Sequence, residues 1–148
     1  MTEPQFCREP IYAALFALVS GAYAFTTTTR RIKEYADVDQ ATQPAILQVE
    51  LGEKWSARVG APPVITLAAR LFLYCESSDP TTPVATRMNA ALDAVTAALA
   101  PPVAPHGSFR QTLGGLVQHA GIAGEITIAE GLSGQSEAVI PLEILVNP

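Results

Sequence analysis

Two stretches of the chain repeat apolar residues at the spacing of an α-helix. The first follows Pro10, and its apolar positions are Ile11, Leu15, Leu18, Val19 and Ala22. The second follows Pro83, and its apolar positions are Val84, Met88, Ala91, Leu92, Val95, Ala98 and Leu99. Because residues three and four apart share one face, each stretch predicts an amphipathic helix packed on a core. We expect Thr82 to cap the second helix, with Pro83 in its first turn. Tyr12 and Phe16 predict a second face on the first helix, available to a partner.

Other stretches favour strands. Phe25 and the four threonines after it form one β-favouring run. Residues 45–51 alternate, which predicts one apolar face and a solvent-facing side that carries Ile46, Gln48 and Glu50. Residues 64–76 alternate with aromatic or apolar side chains on both faces, so we expect that strand to be covered on both. Residues 52–63 show no period and predict a loop between these two strands.

The C-terminal part predicts a further hairpin. Residues 116–130 and 137–146 form the expected strands, joined by the glycine-bearing turn at 131–136. Pro141 places the last strand at a sheet edge or at a bulge, because proline has no N–H to donate. The order α-β-β-(β)-α-β-β predicts one α+β domain over residues 1–148, with an antiparallel sheet and both main helices packed on one face.

Charge and composition narrow the possible partners. The chain has 148 residues, 49 % of them hydrophobic and 16 % charged, with a formal net charge of -5. This low charged fraction, with a mean hydropathy of +0.24, suggests that something other than this chain covers part of its apolar surface, and further copies of the chain are one candidate. Beyond Glu76 the only basic residues are Arg87 and Arg110, so an acidic C-terminal half disfavours nucleic-acid binding. Residues 11–24 are too short to span a bilayer, which predicts a soluble, cytosolic product without a membrane partner.

Candidate chemistry is sparse. The stretch QTLGGLVQHAGIAGEI at 111–126 holds four glycines but neither phosphate-loop pattern, so we expect its glycines, Gly121 and Gly124 among them, to serve backbone geometry. His106 and His119 have no acidic residue or cysteine at metal-ligand spacing. No serine occupies a nucleophile elbow. We therefore expect no catalytic residue, no metal and no cofactor.

Four segments, taken in their order along the chain, resemble the tail terminator family of long-tailed bacteriophages and prophages, whose members are also called minor tail or tail completion proteins. They are REPIYAALF at 8–16, TRR at 29–31 leading through DV at 37–38 to QPA at 43–45, QTLGGLV at 111–117 and IPLEILV at 140–146. The resemblance spans residues 8–146 and depends on the order of the segments, because none of them is catalytic. It implies an α+β sheet flanked by helices, in agreement with the hydrophobic pattern.

The resemblance also implies a structural role in the virion. In that role a ring of six copies caps the head-proximal end of the tail tube, stops its polymerisation and presents a surface to the head connector. The implied partners are further copies of the chain, the tail tube protein and the head–tail connector. The implied location is the tail neck, after assembly in the host cytoplasm. Two alternatives stay open: a neck or head-closure adaptor on the head side, and a small hydrolase using Glu125, Glu130 and Glu143.

We expect three loops, at 52–63, 101–115 and 131–136, and one basic cluster to carry the contacts. The candidate interface residues are Arg30, Arg31, Lys33, Trp55, Arg58, Phe109, Arg110 and Leu132. Tryptophan and arginine often anchor protein interfaces. The basic cluster either meets acidic residues of a neighbouring copy or is a solvated strand end.

Overall fold

Six strands form one mixed sheet, and two helices lie against it. The computed structural model describes residues 6–77, 79–102, 109–132 and 134–146. The helices are α1 (Arg8–Ser20) and α2 (Val84–Leu99), and the strands are β1 (Thr27–Thr29), β2 (Ala45–Arg58), β3 (Ala61–Glu76), β4 (His119–Ile122), β5 (Thr127–Glu130) and β6 (Gln135–Val146). The predicted α+β architecture is confirmed.

The sheet is antiparallel except at one edge. The strand order is β1-β2-β3-β6-β4, and β5 pairs with β6 on the same side as β4. β1 pairs with β2 in parallel, so the sheet is mixed where the sequence predicted an antiparallel one. A parallel neighbour needs a crossover connection. Residues 30–44 supply it, with short 3₁₀ helices at Tyr35–Asp37 and Gln40–Thr42.

Both helices pack on one face of the sheet, as predicted. Apolar side chains of β3 and β6 alternate toward them; the β3 members are Ile65, Leu67, Ala69, Leu71, Leu73 and Cys75, and the β6 members are Ala138, Ile140, Leu142, Ile144 and Val146. The predicted cap of α2 is wrong by one residue: Pro83 occupies the N-cap position without a side-chain bond. Thr82 instead donates its hydroxyl to Asp79 Oδ2 at 2.9 Å, because that carboxylate organises the turn before the helix.

Two predictions about exposed faces are wrong. Ile46 and Gln48, expected to face solvent, are buried against the helices, and Gln48 Nε2 donates to Tyr12 O at 2.9 Å. Tyr12, expected on a partner-facing side of α1, is 3 % exposed and lies in the core. The opposite face of β2 is buried as well, because residues 35–43 pack on it through Val38. A strand covered on both faces loses the polar side that alternation predicts.

Pro141 explains why the single strand predicted at 116–130 is divided into β4 and β5. Ala123 N–H donates to Pro141 O at 3.1 Å, so the backbone of Pro141 faces β4 and β5, where its nitrogen has no proton to donate. The hydrogen-bonded pairing of β6 with β4 and β5 is therefore interrupted at Pro141. Gly124 fills the break with φ +115°, and a Cβ on it would lie 3.2 Å from Pro141 Cγ. Pro141 therefore lies at an interruption of pairing and not at a sheet edge, and Gly124 has the backbone role predicted for the glycines of this stretch.

Candidate protein interface

The most prominent surface feature is a hairpin that extends beyond the sheet. Ile65 of β3 pairs with Val146, the last described residue of β6, so residues 51–64 have no strand beside β3 in the described structure. We call residues 51–64 the arm. The loop predicted at 52–63 is wrong: β2 continues to Arg58, and Val59 and Gly60 form a two-residue turn before β3. Residues 50–62 are all exposed.

Two register shifts in the pairing of β2 with β3 explain why the sequence pattern did not predict the arm. A register shift between Glu50 and Glu53 changes which alternate residues of β2 face the helix side, from even numbers to odd numbers. A second irregularity, between Ser56 and Arg58, lies opposite Pro62 and Pro63. Proline is tolerated at such positions because the ladder is already interrupted. With no buried face and two shifts, the arm has no alternation to detect.

The arm carries apolar and cationic side chains. Trp55 is 53 % exposed and Val59 is fully exposed. Lys54 and Arg58 are cations, and residues 54–64 contain no carboxylate. Arg58 Nε donates to Pro62 O at 3.1 Å, which braces the turn and leaves the guanidinium at the surface. Exposed aromatic and arginine side chains on a defined backbone are typical of a protein-binding surface.

Phe6 and Arg8, the first residue of α1, support the arm. Arg8 Nη2 lies 2.8 Å from Glu53 Oε1, and Arg8 Nε donates to both carboxylate oxygens at 3.1 Å. The Phe6 ring packs against Trp55, with 6.1 Å between ring centroids, and the Arg8 guanidinium lies 4.8 Å from the Phe6 ring centre. The hydrogen bond to Glu53 raises the pKa of Arg8. A bidentate pair of this kind fixes orientation as well as charge.

Arg30 joins a second ion pair at the same place. It donates to Glu9 at 2.6 and 3.1 Å and to Glu50, so it connects the end of β1 with the start of α1 and with the base of the arm. The hydrogen bond from Arg30 lowers the pKa of Glu9. For Arg30 the sequence left two alternatives open, acidic residues of a neighbouring copy or a solvated strand end; the structure places acidic partners of Arg30 in its own chain. Arg30 therefore fixes the base of the arm relative to the start of α1.

Four residues of this support were missed by sequence analysis: Arg8, Glu9, Glu50 and Glu53. Their partners lie 20 to 45 residues away along the chain. No local spacing indicates such a pairing. The only usable signal is that Arg8 and Glu9 fall in the first of the segments that resemble the terminator family.

The remaining predicted interface residues are spread over the surface. Arg31 and Lys33 are exposed, and Lys33 O accepts a hydrogen bond from Tyr74 at 2.7 Å. Phe109 is 67 % exposed, and Arg110 is also exposed. Leu132 is fully exposed in the turn between β5 and β6. Residues 103–108, with His106, and Ser133 lie outside the described residues.

The glycine-rich stretch serves the backbone. Leu113, Gly114 and Gly115 all have positive φ, and they form the turn that precedes β4. His119 Nδ1 accepts the N–H of Gln111 at 3.2 Å, which attaches the start of β4 to the segment before the turn. Within the ranges that the structure describes, no group of three metal-ligating side chains is present.

The acidic residues considered for hydrolysis are dispersed. Glu130 pairs with Ser136 and Glu143 pairs with Ala68, which places the two carboxylates on opposite faces of the sheet. Glu125 is exposed in the break between β4 and β5. Glu130 and Glu143 are therefore not aligned across one cleft.

Comparison of the chain with protein-family models gives no match, and comparison with curated protein sequences gives no significant match. Neither helix of the described structure is long and apolar enough to cross a membrane. Functional assignment therefore depends on the residues and their geometry.

Proposed function

We propose that this chain is a subunit of a homo-oligomeric ring, and that the ring is the tail terminator of a long-tailed bacteriophage or prophage. The observation that carries the proposal is the arm, an exposed hairpin with Trp55, Val59 and two cations, held in a fixed direction by ion pairs. Proteins usually protect such strand edges. A two-stranded hairpin outside a sheet is also marginally stable by itself. An arm of this kind is consistent with a surface that is completed by a partner.

The sequence segments that resemble the terminator family support the narrower assignment. The segment at 8–16 contains Arg8 and Glu9, and the segment at 29–31 contains Arg30. These three residues form the ion pairs at the base of the arm. Two of the four segments therefore contribute residues to one structural feature, the ion pairs at the base of the arm. A shared structural role accounts for these two segments better than chance similarity does.

In this role the chain works by recognition and not by chemistry. One face of the ring binds the last layer of tail tube protein, and the other face binds the head–tail connector. Because the two faces differ, a further tube subunit has no matching surface and growth stops. The subunit then needs a rigid core and projecting contacts, and it needs no cofactor.

Disruption of the gene in its phage or prophage tests the proposal. Negative-stain electron microscopy then measures tail length, and we expect overlong tubes without heads beside DNA-filled heads. Tails of normal length that fail to join heads would overturn the assignment and favour an adaptor on the head side of the neck. Complementation with the native gene is the control, and it restores the normal length.

A further inference from the structure

A second unfilled surface lies at β5. In the described part of the chain no strand pairs with the outer side of β5, which faces away from β6. Gly131 N–H donates to Gln135 O at 2.8 Å, which marks that pair as hydrogen-bonded. Hydrogen-bonded pairs alternate along an antiparallel ladder, so Ile128 and Glu130 direct their backbone groups outward. We call residues 127–132 the receiving edge.

The receiving edge combines apolar and acidic groups. Ile128 is 54 % exposed and Leu132 is fully exposed. Beside them lies an open groove of about 620 Å³, whose acidic lining residues are Glu76, Asp79 and Glu130. Asp79 accepts hydrogen bonds from Thr81 and Thr82, which lower its pKa and keep it charged.

Charge differs sharply between the arm and this edge. Residues 54–64 of the arm contain two cations and no carboxylate. Residues 127–132 of the edge contain Glu130 and neither lysine nor arginine, and Glu76 and Asp79 lie in the adjoining groove. The β2 side of the arm also has no described strand beside it, because β1 pairs only with Ala45–Leu47. Arm and edge therefore match in backbone hydrogen-bonding capacity, in charge and in apolar groups.

We infer that the arm of one copy docks on the receiving edge of the next copy. Lys54 and Arg58 then meet the carboxylates of the edge, and Trp55 packs on Ile128 and Leu132. This contact deepens the proposed ring function and depends on it. The arm extends past the Val146 end of β6 on the β3 side, whereas β5 pairs near the Ser136 end on the other side. Two different patches at opposite corners give a head-to-tail contact, and such contacts close into rings.

A charge-swap experiment tests the contact with the full chain. One variant carries Lys54→Glu and Arg58→Glu, and the other carries Glu76→Lys and Glu130→Lys. In each variant the arm and the edge then carry charges of the same sign, so copies of one variant repel each other at this contact. In a mixture, each arm meets an edge of opposite sign. Self-association is measured by translational diffusion in NMR from ~20 μM to ~1 mM.

The control variant carries Asn89→Lys, Asp93→Lys and Ala97→Lys on the exposed face of α2, which gives the charge change of the edge variant at positions outside both surfaces. We expect the native chain and the control to associate, and each swapped variant alone to diffuse as a monomer. An equimolar mixture of the two should regain an association constant at least ~10-fold above that of either one.

Three results would overturn the contact: swapped variants that associate as the native chain does, a mixture that gains nothing, or a native chain that stays monomeric throughout. These results leave the tail-length experiment unaffected. Overlong tubes after gene disruption together with a failed charge swap would retain the terminator role and reject this contact.

Discussion

Arg8 and Glu53, 45 residues apart in the sequence, form a two-point ion pair across the base of the arm. Arg30 adds a second connection from Glu9 to Glu50 beside it. The start of α1 is thereby attached to a hairpin that has no core of its own. The direction of the arm is set by the helix that packs on the core, so a surface without buried residues still has a defined geometry.

The Glu9–Arg30 pair predicts a pH dependence on the acid side. Arg30 lowers the pKa of Glu9 from its ordinary value of 4.5. A lowered folded-state pKa means that the pair stabilises the fold fully above pH 4.5 and loses this effect as pH falls through the folded pKa. Titration of the Glu9 side-chain ¹³C shift should give a lower midpoint in the native chain than in an Arg30→Met variant. Equal midpoints would show that the pair does not form in solution.

Gly134 and Gly60 form a matched pair for a stability test. Both have φ near +75°, at +75° and +72°, but a Cβ on Gly134 would overlap Ser77 O, whereas nothing lies within 4 Å of one on Gly60. Gly60→Ala should destabilise the chain by about 1 kcal/mol, the penalty for left-handed backbone. Gly134→Ala should cost about 3 kcal/mol or more, because backbone must also move. Urea unfolding of both variants measures the difference, and equal midpoints would contradict it.

Gln48 predicts an unusual response to an apolar substitution. Its Nε2 donates to Tyr12 O, but its buried Oε1 has no hydrogen-bond partner in the described structure. An unpaired buried oxygen costs about 1–3 kcal/mol, and the single hydrogen bond returns about 1 kcal/mol. Gln48→Met should therefore unfold at an equal or higher urea concentration than the native chain. Gln48→Glu should be clearly less stable, since it buries a charge. A strongly destabilised Gln48→Met variant would contradict this account.

Cys75 should be protected from modification in the folded chain. Burial raises the pKa of its thiol from 9.0 to about 11, and two pKa units reduce the thiolate fraction near pH 8 about 100-fold. In a Cys7→Ser chain, a thiol reagent should label Cys75 at least ~100-fold faster in denaturant than in native buffer. Similar rates in the two conditions would mean that the core opens readily at β3.

The helices and the central strands follow from the sequence because their residues face a core. The apolar stripe from Val84 to Leu99 and the alternation of apolar residues in β3 both mark the side chains that are buried. The arm sequence shows no such pattern, because neither face of the arm is buried and two register shifts interrupt the pairing of its strands. The supporting ion pairs cannot be predicted from the local sequence for another reason. The partners of Arg8, Glu9 and Arg30 are distant in the sequence and come together only in the folded chain.

The arm residues should matter for assembly and not for folding. Val59 is fully exposed and Trp55 packs on Phe6 at the surface, so Trp55→Ala with Val59→Asp should lower the free energy of unfolding by no more than about 2 kcal/mol in total. Ile32→Ala is the matched control, because Ile32 is an exposed apolar residue outside the arm. Urea unfolding of the purified chains establishes that both variants are folded before they are tested in cells.

Tail length under complementation by these variants tests the central claim most directly. In a phage whose own gene is disrupted, the Ile32→Ala chain should restore tails of normal length. The Trp55→Ala, Val59→Asp chain should leave overlong tubes without heads, as the disruption itself does. Normal tails from the arm variant would contradict the claim that this chain stops the tube through its arm.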